Sequence, residues 1–294
     1  TNNAFYASLV IENPCEPPTT LFISPIMVSD KPNPVMISPT NVCVNTSVNF
    51  SHTGEYGELA STTTCSSNGK QVWTVSPEIG FTPNNVANLG NLNNSNLNAG
   101  NWTNGAVNLN GTFTQTGTYR FKLYMSNSLC GVDSIEKVIC VQEPPTSEFT
   151  LDKHSICTNN NVKTTNTSKK SACTNNTYNW NVQYQDTENC GGSAGYSFAN
   201  GTSASSENPE FTFTTPGKYT ITLRTSPNAQ GCTPVTSSQE VFVKAPPKVT
   251  IPTFTGVCAG NTISPTATVV NCYSTTTPTY SWTFGGGTPA SSSD

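Results

Sequence analysis

Residues 211–226, FTFTTPGKYTITLRTS, decide the reading of this chain, because residues 111–126, GTFTQTGTYRFKLYMS, are a near copy placed 100 positions earlier. Gly117 matches Gly217, and Tyr119, Phe121 and Leu123 match Tyr219, Ile221 and Leu223. Apolar and polar side chains alternate after each glycine, the pattern of a half-buried strand whose successive side chains point to opposite faces. The TG or PG before it supplies the turn that starts the strand. The repeated unit is therefore a turn followed by a strand, and a repeat at this spacing sets the architecture.

Three further cues recur in the same order. CVNTSVNF from Cys43, CTNNNVKT from Cys157 and CAGNTISP from Cys258 place Asn45, Asn159 and Gly260 in one slot. These residue types tolerate positive φ, so a tight turn into a strand is expected there. QVWTV, YNWNV and YSWTF put Trp73, Trp180 and Trp282 in equivalent strands, where alternation with apolar neighbours predicts core packing. Pro-Pro pairs at Pro17, Pro144 and Pro246 read as linkers. The spacing of about 100 residues, the short strands and the single buried Trp per unit are those of an immunoglobulin-like β-sandwich. The fold class is all-β, with sandwich modules in tandem joined by Pro-Pro linkers. Residues 1–16 read as the last strand of a preceding module plus linker. Residues 17–145 and 146–247 read as whole modules, and 248–294 as the first half of a third.

Composition narrows the function. Of 294 residues only 10% are charged and the net charge is −4, so no basic patch exists for nucleic acid. No apolar run approaches the ~20 residues of a membrane helix, so membrane insertion is not expected. Eleven cysteines with only two histidines and no CxxC pair point to disulfides and an oxidising, extracellular location rather than zinc.

No catalytic constellation emerges. His52 and His154 have no counterpart in the other copies and read as loop histidines, leaving no Ser-His or Cys-His partnership. The acid pairs Glu55/Glu58 and Asp186/Glu188 sit in single loops without the opposed environments that divide acid from base. GGGTP at 285–289 lacks the lysine and helix of a phosphate loop, and no calcium-binding run is present. No enzyme activity and no cofactor are expected. Trp102 differs from the other tryptophans, lying in the Asn-rich tract NLNNSNLNAGNWTNGAVNLNG. It is the candidate glycan contact if its ring is exposed, and a plug if Leu89, Leu92 and Leu97 anchor the tract.

YSWTFGGGTP in the third copy, with NPEFTFTTPGKYTITLRTS in the second, resembles the PKD-like repeat, an immunoglobulin-related module. With the late-loop cysteines of SLCGVDS and AQGCTP and the Asn/Thr-rich style, it is similar to repeats of giant surface adhesins of gliding bacteria. WTVSPEIGF and WNVQYQD depart from the motif, so only the third copy is typical. The resemblance implies a non-enzymatic stalk or filament segment on the cell surface, exported by the type IX route. Implied partners are further modules of the same chain, an anchoring machinery and an unidentified surface or glycan ligand. An alternative is accessory carbohydrate-binding modules of a secreted polysaccharide-degrading enzyme; a further one is a fibre subunit whose strand at residues 4–11 completes a neighbour's sandwich.

Four cysteines per module allow three pairings. Strand direction in an immunoglobulin-like topology favours staples across one end, Cys65–Cys130 and Cys173–Cys232, with Cys43–Cys140 and Cys157–Cys190 at the other. Cys15, Cys258 and Cys272 then have no partner in the sequence.

Overall fold

A computed structural model describes residues 4–57, 69–95, 99–127, 130–188, 190, 192–274 and 277–293. The chain is all-β, and its described residues divide into two units. Unit 1 comprises residues 1–144 together with 171–175 and 228–232; unit 2 comprises 145–170, 176–227 and 233–294.

Unit 1 begins with a two-stranded ribbon, β1 (Ala4–Asn13) and β2 (Glu16–Met27), turned at Asn13, whose side-chain oxygen accepts the N–H groups of Cys15 and Glu16. Glu16–Met27 is thus a strand, where the first Pro-Pro pair predicts a linker; a proline is tolerated in a two-stranded ribbon because each strand has a free edge. The sandwich follows: β3 (Met36–Ile37), β4 (Asn41–Cys43), β5 (Ser47–His52), β6 (Lys70–Ser76), β7 (Phe81–Pro83), β8 (Asn108–Phe113), β9 (Gly117–Asn127) and β10 (Gly131–Gln142). One sheet is ordered β3-β5-β8-β7, the other β4-β10-β9-β6, with β4 parallel to β10.

Unit 2 repeats this plan with β11 (Phe149–Leu151), β12 (Ser155–Cys157), β13 (Asn160–Asn166), β14 (Thr177–Gln185), β15 (Tyr196–Ala199), β16 (Glu210–Phe213), β17 (Gly217–Ser226) and β18 (Val235–Lys244). Its sheets are β11-β13-β16-β15 and β12-β18-β17-β14, and β12 runs parallel to β18. Each sandwich order maps onto the other strand for strand. The remaining strands, β19 (Lys248–Thr250), β20 (Thr268–Val270), β21 (Trp282–Thr283) and β22 (Ser291–Ser292), form two short pairs.

The repeated stretch explains itself in these sheets. Residues 119, 121, 123 and 125 of β9, and 219, 221 and 223 of β17, all face the cores. The Tyr119 hydroxyl donates to the Gln115 carbonyl at 3.0 Å and the Tyr219 hydroxyl to Thr215 at 2.9 Å, a tyrosine corner in each sandwich. Burial raises the pKa of both phenols, which keeps them protonated as donors. Gly217 has φ +156°, and a side chain there would strike the Tyr184 ring, so the glycine is required by space as well as by backbone.

The Cys-x-Asn cue is equally local. Asn45 (φ 60°) and Asn159 (φ 63°) turn the chain, and their N–H groups donate to Phe113 and Phe213 at 2.6 and 2.7 Å. Gly260 has φ 90° in the third copy. Trp73 and Trp180 are buried, and both indole N–H groups donate at 2.8 Å, to the carbonyls of Ala106 and Ser206. Trp282 departs from the core expectation. It lies half-exposed in a two-residue strand, stacked on Phe284, because neither sandwich core extends to it.

His52 is also more than a loop residue. It ends β5, buried, with its ring 6.2 Å from that of Trp73. Burial lowers its pKa below the ordinary 6.5. The unfolded chain therefore binds a proton here before the folded one does. This contribution to stability is full above 6.5 and is lost as pH falls from 6.5 through the folded value. Denaturant titrations of the first sandwich at about pH 7 and about pH 5 should show a drop that His52→Phe reduces; an equal drop in both proteins would contradict the assignment.

Candidate functional site

The described residues of the Asn-rich tract of unit 1 fold back on β6 as a flap. Asn91 and Thr103 exchange backbone hydrogen bonds of 2.9 Å, and Asn93 and Asn94 take positive φ (47° and 66°) between them. Lys70 secures the flap by donating to the carbonyls of Ala99, Gly100 and Trp102 at 3.0–3.3 Å.

Trp102 is the plug of this flap. It is 4% exposed, its indole N–H donates to Ser95 O at 2.6 Å, and its ring meets Tyr124 edge-on at 6.2 Å. The candidate glycan contact is therefore corrected: a ring enclosed on its faces cannot stack on a sugar. Leu97, one of its proposed anchors, lies outside the described residues.

A groove of about 810 Å³ lies between the flap and β6. Trp73 and Val75 of β6 form one wall, with Phe81; Val86, Leu89 and Leu92 form the other. Glu78 and the amide side chains of Asn91 and Asn94 line its mouth. Sequence reasoning passed over this feature, since Val86 and Glu78 belong to no repeated cue.

The cysteines pair differently from expectation. The structure contains Cys43–Cys232, Cys140–Cys173 and Cys190–Cys272, with Cα separations of 5.3, 5.6 and 5.7 Å. Cys43–Cys140 fails on register. Cys140 sits opposite Asn41 on β4, leaving Cys43 two residues further along and about 8 Å away by strand geometry, too far to bridge. Cys173–Cys232 fails because Cys173 bonds to Cys140 and Cys232 to Cys43, all four within unit 1. Residues 228–232 lie beside β4, where Gln230 donates to Asn41 O and accepts from Cys43 N–H, both at 2.9 Å, and this brings Cys232 to Cys43. Cys157–Cys190 is replaced by Cys190–Cys272, and Cys157 keeps a free, exposed thiol, as do Cys15 and Cys258. The Cys65–Cys130 pairing falls on Cys65, which lies outside the described residues, as does Glu58 of the Glu55/Glu58 pair.

In unit 2 the acids Asp186 and Glu188 hold backbone. Glu188 accepts the Tyr273 N–H at 2.6 Å, Asp186 accepts the Cys190 N–H at 3.0 Å, and the Tyr273 hydroxyl accepts the Thr187 N–H at 2.6 Å. Tyr273 takes φ 53° to make these bonds beside Cys272, a latch that only the neighbouring cysteine signals in the sequence. His154 is exposed, with Nδ1 3.1 Å from Glu240 O. Among the described residues no group of three or more His, Cys, Asp or Glu side chains is placed to hold a metal, and no helix is long and apolar enough to cross a membrane.

No protein family and no curated protein matches the sequence. Among solved structures the chain is similar to the Escherichia coli adhesin FdeC, with 11% identity and a TM-score of 0.40 over 82% of this chain and 74% of that one. It is similar to fibronectin(III)-like modules of Clostridium thermocellum CbhA, with 14% identity and a TM-score of 0.32 over 72% of this chain and 95% of that one. A third is the C-terminal fragment of intimin in complex with the intimin-binding domain of its translocated receptor, with 10% identity and a TM-score of 0.35 over 74% of this chain and 65% of that one. The class reached by the sheets themselves is that of tandem immunoglobulin-like β-sandwiches.

Proposed function

We propose that this chain is a non-enzymatic segment of an extracellular adhesin, serving as part of a stalk or filament at the cell surface. The observation that carries the reading is the strand-for-strand repetition of one sandwich plan within a disulfide-bonded chain. Repetition of a self-contained core adds length rather than chemistry, and disulfides fit an oxidising environment. Its hydroxyl- and amide-rich surface carries few charges, which favours solubility without attracting polyions. The resemblance of the third copy to PKD-like repeats supports the finer proposal of a gliding-motility adhesin exported by the type IX route. Antibodies against residues 146–247 should label intact cells of the source organism, and deletion of the gene should reduce attachment and spreading. Labelling that requires lysis would contradict a surface location.

A further inference from the structure

The two sandwiches treat the edge of the Trp-bearing strand differently, and the difference lies at the groove of unit 1. In each case this strand ends its sheet, β6 beside β9 and β14 beside β17. Gln71 spends its backbone outward, taking Asn104 Oδ1 on its N–H at 2.8 Å and the Gly105 N–H on its carbonyl at 2.7 Å. Because outward and inward residues alternate along an antiparallel strand, Trp73 and Val75 also direct their N–H and C=O groups away from β9. In unit 2 the equivalent Trp180 N–H is closed by the Ala204 carbonyl at 2.8 Å. In unit 1 no backbone partner for Trp73 or Val75 occurs on this edge among the described residues. At the Trp position β14 meets a loop and β6 meets the groove, while Val182, like Val75, has no backbone partner on this edge among the described residues.

We propose that the groove binds an extended segment of another polypeptide, which pairs with the free edge of β6 at Trp73 and Val75. An extended peptide supplies the alternating donors and acceptors that such an edge lacks. Its alternate side chains meet Val86, Leu89 and Leu92, so apolar residues at every second position are favoured. Glu78 lines the groove and makes no ion pair among the described residues, which favours a lysine or arginine in the segment. This inference does not depend on the stalk reading.

The test is panning of a phage-displayed random peptide library against the intact 294-residue chain. Enriched peptides should alternate apolar residues and carry a basic residue, and on titration they should shift the Trp73 and Val75 amide resonances. Val75→Pro removes the outward N–H but no bond to β9, so the fold should survive while affinity falls at least about tenfold, the loss expected for a single hydrogen bond of this kind. Leu92→Arg, on a partly exposed flap residue, should block the groove independently. Peptides that bind both variants as well as the parent would overturn the proposal. So would a library yielding no groove-dependent binder, or a glycan-array signal that only Leu92→Arg abolishes.

Discussion

Replacing Trp180 with alanine is expected to unfold the second sandwich, at a cost of about 3–5 kcal/mol for a packed aromatic. The side chain is 3% exposed, meets Phe149 edge-on at 4.8 Å and shares its core with Tyr219 and Leu223. Its loss leaves a cavity that rigid sheets close poorly, and it also strands the Ser206 carbonyl that accepts the indole N–H. A cost of this size is a large part of the stability of a domain of about 100 residues. Amide resonances of β13 to β18 should collapse under conditions where the parent is fully folded. Retention of those signals, with only a small shift in midpoint, would show that Trp180 is not central to the core.

The second large effect comes from the cysteines. Cys43–Cys232 closes a span of 189 residues, and Cys140–Cys173 a span of 33. Each crosslink restricts the unfolded chain, an effect of about 2–4 kcal/mol that grows slowly with span. Cys43→Ser with Cys232→Ser should therefore lower the stability of unit 1 by that amount. It also frees residues 228–232, whose backbone bonds to Asn41 and Cys43 are too few to hold a short segment against its entropy. Equal stability of the parent and the double variant would show that this bridge does not form.

Most of the sandwich was legible because its determinants are local. Alternation at Tyr119 to Leu123 and Tyr219 to Leu223 reports which face is buried, and Asn45 and Asn159 report the turns by their tolerance of positive φ. The disulfides were not legible, because a bond needs two Cα atoms within about 7 Å, a relation fixed by the paths of separate loops. Seeking partners within one repeat put Cys173 with Cys232, whereas residues 171–175 and 228–232 both belong to unit 1. Trp102 illustrates the same limit. An Asn-rich tract fits an exposed ring or an enclosed one, and the Ser95 carbonyl that decides between them is visible only once the flap is folded. The groove likewise depends on what β6 lacks, and a missing edge partner leaves no mark in sequence.

A stalk bears tension and its crosslinks set how far it extends, so pulling the intact chain by its two ends is the most direct measurement. In the oxidised protein Cys43–Cys232 shorts the path, and the residues between them stay out of the stretched contour. Reduction should release that span, lengthening the fully extended chain by roughly 600 Å at about 3.4 Å per residue. The account predicts that gain on adding reductant. Identical extension before and after reduction would contradict it.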